Sequence, residues 1–560
     1  MQPFLFMLLS MFICALAYAD IITLNPLESV TDAARNAQAG DTILLEPGDY
    51  WESVKITERS VVIASMFLLD GDASHITSTI VNPLSEDPDS ASCIFLELEY
   101  PDSLTMVGLT IRNGRGTRHT IGEVSYIAGG GIYASRSRFR FEHCAVESCR
   151  ADVGGGLMVS HYDSDPSILY GAIVECVFKN CVNFGAAGGG GIASHGSTLL
   201  MERTLFEACT SNFTAGIEAA GRNMSLVACT LRYCGSAWGA AGIIGDGGLV
   251  SNCVFEDNGS SVSDDYLADC HLSTQGDVIV RQNVFRNNTS NGTVGTFFDF
   301  SRYGVLFFVG NVVENHITGN SLGIFYLWDC EGEISHNIIR NCYADYGASF
   351  VPGGSGILRF HHNAFVNNSQ GPQGFGTAID YSNSGSTPAS CDSNVFEGNV
   401  GPVMSYAPNR PPQYIIARNN WWGDASGPYH PTRNPDGQGD TLYSDVIQFE
   451  PWLTEPPDTS QPTSVVDRPD IASLSTWKLL PAYPNPFNST FRVDIAGFTR
   501  GDFELVLYDV LGRKVSSLHT GVLQQNVLMF TAPQAMSNGV FFLRARDKHR
   551  VEAQKILYIK

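Results

Sequence analysis

The chain has 560 residues, 44% of them hydrophobic and only 16% charged, and its 57 Asp and Glu against 34 Lys and Arg give a net charge of −23. That balance excludes a nucleic-acid partner, because phosphates must be neutralised by clustered cations. The length allows a large core and more than one domain, and 56 Gly without long amphipathic helical patterns point to turn-rich β structure.

The first residues, MQPFLFMLLSMFICALAYAD, form an apolar run that ends in Ala17-Tyr18-Ala19. They predict a secretory signal peptide over 1–19, cleaved before Asp20, and a mature chain outside the cytoplasm. Next, NPLESVTDAARNAQAGDTILLEPGDYWESVKI (25–56) places Leu27, Val30, Ala33, Ala34 and Ala37 on one face of a helix of about three turns. A turn at Gly40-Asp41 and a strand follow. Such a helix would cover the open end of a stacked repeat.

From there one phrase recurs: LTIRNG (109–114), CAVESC (144–149), CVFKNC (176–181), TLFEAC (204–209), CTLRYC (229–234) and CVFEDN (253–258), then NVFRNN (283–288), NVVENH (311–316), NIIRNC (337–342), NAFVNN (363–368), NVFEGN (394–399) and NNWWGD (419–424). The starts lie 24 to 35 residues apart, a period that means a solenoid, propeller or array. Short alternating strands with no helix between them cannot bury their own apolar faces. Stacking coil on coil does so, and this predicts an all-β parallel solenoid of roughly a dozen coils.

Equivalent residues of successive coils then stack one strand spacing apart. Asn283, Asn311, Asn337, Asn363 and Asn394 form an amide ladder, and Asn suits a turn because it tolerates left-handed φ. Cys144, Cys176, Cys229 and Cys253 fill the same column earlier in the chain, and Cys149, Cys181, Cys209 and Cys234 fill a second. Their spacing is wrong for paired metal-binding arms, so packing is the expectation, with disulfides between neighbouring rungs the geometrically allowed alternative. The glycine runs at 128–135, 153–160 and 187–194 lack the helix and Lys of a phosphate loop and read as tight turns.

Counting back from the ladder, positions −3 and −5 are apolar and −2 and −4 face outward. Glu333, Arg359, His361 and Asp392 thereby gather on three successive rungs, a set with the carboxylates and base of acid–base chemistry on a sugar; the plainer reading is a surface salt bridge and a solvated His. Tyr326, Trp328 and Asp299 lie in aromatic-rich stretches and are candidates for stacking against sugar rings. Asp163 and Asp165 in HYDSDP, and Asp436 and Asp440 in NPDGQGD, offer carboxylates to Ca²⁺, though neither turn has a full ligand set. The alternating Arg136, Arg138 and Arg140 would suit an acidic glycan or simply form a solvated strand face.

Residues 20–455, with GDTILLEPGDY near the start and NNWWGDASGPYHPTRNPDGQGDTLYSDVIQFEPWL (419–453) at the close, resemble the right-handed parallel β-helix proteins of the pectin-lyase-like superfamily. The lyase and hydrolase constellations of that superfamily have no counterpart here: ASHGS (193–197) has Ser where a Gly-His-Gly phrase needs Gly, and no Arg-x-Lys occurs within 20–455. After a Pro/Ser/Thr/Asp-rich linker (456–475), residues 476–560 carry five alternating strands of a small immunoglobulin-like β-sandwich. Its phrases YPNPFNSTFRV, YDVLGRKV, NGVFFLRA and KILYIK resemble the type A C-terminal sorting domain of type IX secretion. The resemblance implies export by that machinery to the cell surface or medium. The expectation is a monomeric, carbohydrate-binding, adhesive or structural surface protein with an extracellular polysaccharide or envelope glycan as partner. The alternative is a polysaccharide lyase or glycoside hydrolase.

Overall fold

A computed structural model describes residues 19–460, short of several connecting segments (the largest are 84–90, 161–168, 261–271, 291–297, 382–389 and 406–413), and most of 478–558. The expected signal peptide lies outside the described residues apart from its last position. Two compact units emerge, Met1–Gln461 and Pro462–Lys560.

The first unit is the parallel solenoid. Its described strands form sheets of 16, 13 and 13 strands and a fourth sheet of nine two-residue strands. One coil runs through Leu358–His361, Ala364–Val366, Ser369–Gln370 and Ile379–Asp380, one strand to each sheet. Alternation within each strand sends Leu358 and Phe360 into the core and leaves Arg359 exposed. Phe178–Phe206, Phe255–Phe285 and Phe365–Phe396 stack inside with centroids 5.1, 4.7 and 5.2 Å apart.

The amide ladder is present and one rung longer than expected. Nδ2 of each Asn donates to Oδ1 of the next at 2.9–3.1 Å, from Asn283 through Asn311, Asn337, Asn363 and Asn394 to Asn420. The last coil is thus offset by one residue: Asn420, not Asn419, enters the column. Asn419 instead has φ 56°. The left-handed residue is in every case the one before the ladder, for example Gln282, His336 and His362. This corrects the expectation that Asn supplies that conformation: the corner residue makes the bend, and the ladder residue is free to aim its amide along the stack.

Cysteine continues the column by the same contacts. Cys144 N–H donates to Cys176 Sγ, and Cys229 N–H to Cys253 Sγ, both at 3.4 Å, while Cys253 N–H donates to Asn283 Oδ1 at 2.8 Å. The thiols in turn donate to the carbonyl two residues back, as Cys144 does to Glu142 at 3.3 Å. All twelve described cysteines are buried free thiols. The glycine runs stack on one another too; a Cβ on Gly130 would stand 2.1 Å from the Gly155 carbonyl oxygen, so only glycine permits this approach of rung to rung.

The N-terminal helix is shorter than expected, Val30–Asn36. Ser29 Oγ caps it through Asp32 N–H at 3.1 Å, and Glu52 receives Val30 N–H and Thr31 N–H at 2.8 and 3.0 Å. Val30, Ala34 and Ala37 join the solenoid core, but Leu27 is almost wholly exposed. It lies in the turn before the cap, where no helical face exists to bury it. At the other end Trp422, Leu442, Ile447 and Phe449 close the core.

The described strands of the second unit pair antiparallel, with one isolated parallel bridge from Phe487 to Tyr558. Lys478–Leu479, Thr490–Ala496 and Val527–Thr531 make one sheet. Lys514–Val522, Asp502–Asp509, Gly539–Arg546 and Val551–Tyr558 make the other. They share a core of Phe487, Phe491, Val493, Leu505, Leu543 and Ile556. The strand at 514–522 was not legible as one, because its Ser, His, Thr and Gly dilute the apolar alternation.

Candidate functional site

The outward face of the 16-stranded sheet carries the polar cluster. Register sets Glu333 beside Arg359, Ser335 beside His361, and His361 beside Asp392. Glu333 does not stand out in solvent as a surface ion pair would. It is buried, accepts Ser335 Oγ–H at 2.7 Å and meets His361 Nε2 at 3.1 Å. With Nε2–H donated to the carboxylate, neutral His361 has its lone pair on Nδ1. That atom lies 3.0 Å from His362 Nδ1.

Two further histidines complete the cluster, His362 and His336, both at the left-handed corner before the ladder. Their rings lie parallel with centroids 5.1 Å apart, and each meets the His361 ring edge-on at 5.2 and 5.9 Å. Burial first, then repulsion from His362 and His361, pushes His336 down to about 4, against a weaker pull from Asp458. Burial likewise lowers His361, with Asp392 opposing and Arg359 assisting. His362 is lowered by burial and by His361. Burial thus shifts all three imidazoles towards the neutral form. His336 Nδ1 is buried without a hydrogen-bond partner.

Asp458 comes from the segment after the last coil, within the first unit. The first residues of the expected linker are thus part of the solenoid's surface, and 461–475 lie outside the described residues. The missed signal was a spacing: His336 and His362 are separated by the same interval as Asn337 and Asn363.

On a neighbouring sheet the strand Gly323–Trp328 buries Ile324, Phe325 and Leu327 and turns Tyr326 and Trp328 outward. Both rings are half-buried and nearly parallel, 14° apart with centroids separated by 5.9 Å. On the next rung Gly353 lies under Trp328, where a Cβ would come within 2.3 Å of the indole. Asp299 is the register partner of Tyr326 on the preceding rung.

Of the Ca²⁺ candidates, only Asp436 and Asp440 are described, and they face different ways. Asp163 and Asp165 lie outside the described residues. Asp436 is exposed. Asp440 turns inward and continues a short second run of amides: Asn368 Nδ2 donates to Asn399 Oδ1 at 3.1 Å and Asn399 Nδ2 to Asp440 at 2.7 Å, and burial raises the Asp440 pKa. Arg140 is paired with Glu142. Among the described residues, as their side chains stand, no group of three or more His, Cys, Asp or Glu could hold a metal ion.

The family model described as "Right handed beta helix region" matches residues 171–331, and that described as "Secretion system C-terminal sorting domain" matches residues 481–560. No curated protein matches. Among solved structures, a mannuronic acid specific polysaccharide family 6 lyase from human gut microbiota aligns over 70% of this chain and 83% of its own at 13% identity. The TM-score is 0.29, too low for that protein's activity to inform this one. The chain is a right-handed parallel β-helix protein with a C-terminal sorting domain of type IX secretion, and it is exported to the medium or the cell surface.

Proposed function

We propose that the exported solenoid binds glycan at the cell envelope, taking sugar rings on the outward pair Tyr326 and Trp328. The observation that carries this reading is that pair: two adjacent, nearly parallel, half-buried rings on a rigid strand. Aromatic faces held in place stack on the apolar faces of sugars at little entropic cost. Gly353 supports the platform by letting the indole lie flat across the next rung.

Retention of the full chain on a panel of acidic and neutral polysaccharides tests the proposal. Trp328→Ala is expected to weaken binding to the retained glycan by about tenfold or more, roughly 1.4 kcal/mol. Gly353→Ala is expected to weaken it as well, because its methyl displaces the indole. Unchanged retention in both variants would remove the aromatic pair from the account.

A second reading, cleavage of polysaccharide, is favoured by the buried Glu333–His361 contact at 3.1 Å. A carboxylate joined to a neutral imidazole has the parts of a proton-transfer pair. Release of new reducing ends or unsaturated uronates, abolished in Glu333→Ala, would support it.

A further inference from the structure

The three-histidine cluster has no part in glycan stacking, and its chemistry points elsewhere. Three imidazoles bound to one tetrahedral cation at the usual zinc–nitrogen distance have ring centres about 5 Å apart. The rings of His336, His361 and His362 stand 5.1, 5.2 and 5.9 Å from one another. His361 Nδ1 and His362 Nδ1 already face each other in a hydrogen bond at 3.0 Å, a contact that a cation between the two nitrogens would replace. Behind His361, the Glu333 carboxylate holds Nε2 and is itself held by Ser335. A carboxylate on the far nitrogen is the partner that metal-ligating histidines keep, because it fixes the tautomer and raises the basicity of the near nitrogen. His336 contributes a buried Nδ1 that lacks any hydrogen bond.

We propose that His336, His361 and His362 form a binding site for a zinc-type divalent cation, with Glu333 orienting His361 and Asp458 or a water as fourth ligand. The site is not pre-assembled. The His336 and His362 rings are parallel to within 6°, so one of them must turn about its soft terminal torsion to aim at the shared position. Neutral imidazole is the ligating form. The other charged groups facing them are Arg359, Asp392 and Asp458, a balance that favours a cation.

The test uses the untagged full chain, stripped of metal and titrated with Zn²⁺ alone at pH 7 by calorimetry. One ion per chain is expected. Affinity should fall at least about tenfold in each of His336→Ala, His361→Ala and His362→Ala, and about 10–100-fold in Glu333→Gln. His195→Ala, on a distant rung, should leave it unchanged. Co²⁺ bound to the unaltered chain should give the intense visible bands of a tetrahedral nitrogen-rich site, a readout that needs no substitution. No saturable Zn²⁺ binding, binding that survives the histidine substitutions, or a weak octahedral Co²⁺ spectrum would overturn the proposal.

Discussion

Asn337→Ala is expected to destabilise the solenoid by about 3–5 kcal/mol, one of the largest effects a single side chain can have here. Asn337 is fully buried. Its Oδ1 accepts Asn311 N–H at 2.8 Å and Asn311 Nδ2–H at 3.1 Å, while its Nδ2 donates to the Phe308 carbonyl at 2.8 Å and to Asn363 Oδ1 at 2.9 Å. Alanine leaves two donors and two acceptors short of partners in a dry interior. Each buried group without a partner costs about 1–3 kcal/mol, partly relieved by local relaxation. Asn337→Cys should recover part of the loss, because Cys176 and Cys253 already accept the same backbone N–H through sulfur. Urea unfolding of both variants measures this. A loss below about 1 kcal/mol for alanine, or cysteine no better than alanine, would show that the column fills space rather than bonding coil to coil.

The second large effect falls on export. Phe487, in the phrase YPNPFNSTFRV, packs against Phe491 at 4.9 Å, Tyr558 at 5.0 Å and Phe530 at 6.2 Å, and its N–H donates to the Leu557 carbonyl at 2.9 Å. It therefore joins the start of the sorting domain to its last strand. Phe→Ala in a core costs about 3–5 kcal/mol, and a unit of this size has a total stability of only about 4–12 kcal/mol. Phe487→Ala should thus leave a large share of the domain unfolded and reduce the amount of chain on the surface or in the medium several-fold. Quantitative blotting of cell and medium fractions reads this. Undiminished export would mean that the machinery recognises the sequence without its fold.

The architecture was legible because a solenoid repeats its own evidence. Each coil must place a small or amide residue at the same corner and a large apolar one two residues later, so CVFKNC, NVFRNN and NAFVNN align by eye. Strand alternation assigns Glu333, Arg359, His361 and Asp392 to one outward patch, and register sets Glu333 beside Arg359 and His361 beside Asp392. Alternation failed at the corner. A left-handed residue breaks the two-residue period, so the positions just before the ladder, His336 and His362, join the outward cluster although the count ignored them. The burial of Glu333 was also hidden, since it depends on Ser335 and His361 folding over it. Leu27 shows the reverse case: an apolar residue fitted to a helical face by spacing alone, although the helix starts only at Val30.

The measurement that bears most directly on the central claim is incubation of the full chain with the retained polysaccharide, following bound protein, new reducing ends and unsaturated uronate together. Saturable binding with no product is the predicted result. Turnover that disappears in Glu333→Ala or His361→Ala would contradict it and make this β-helix an enzyme.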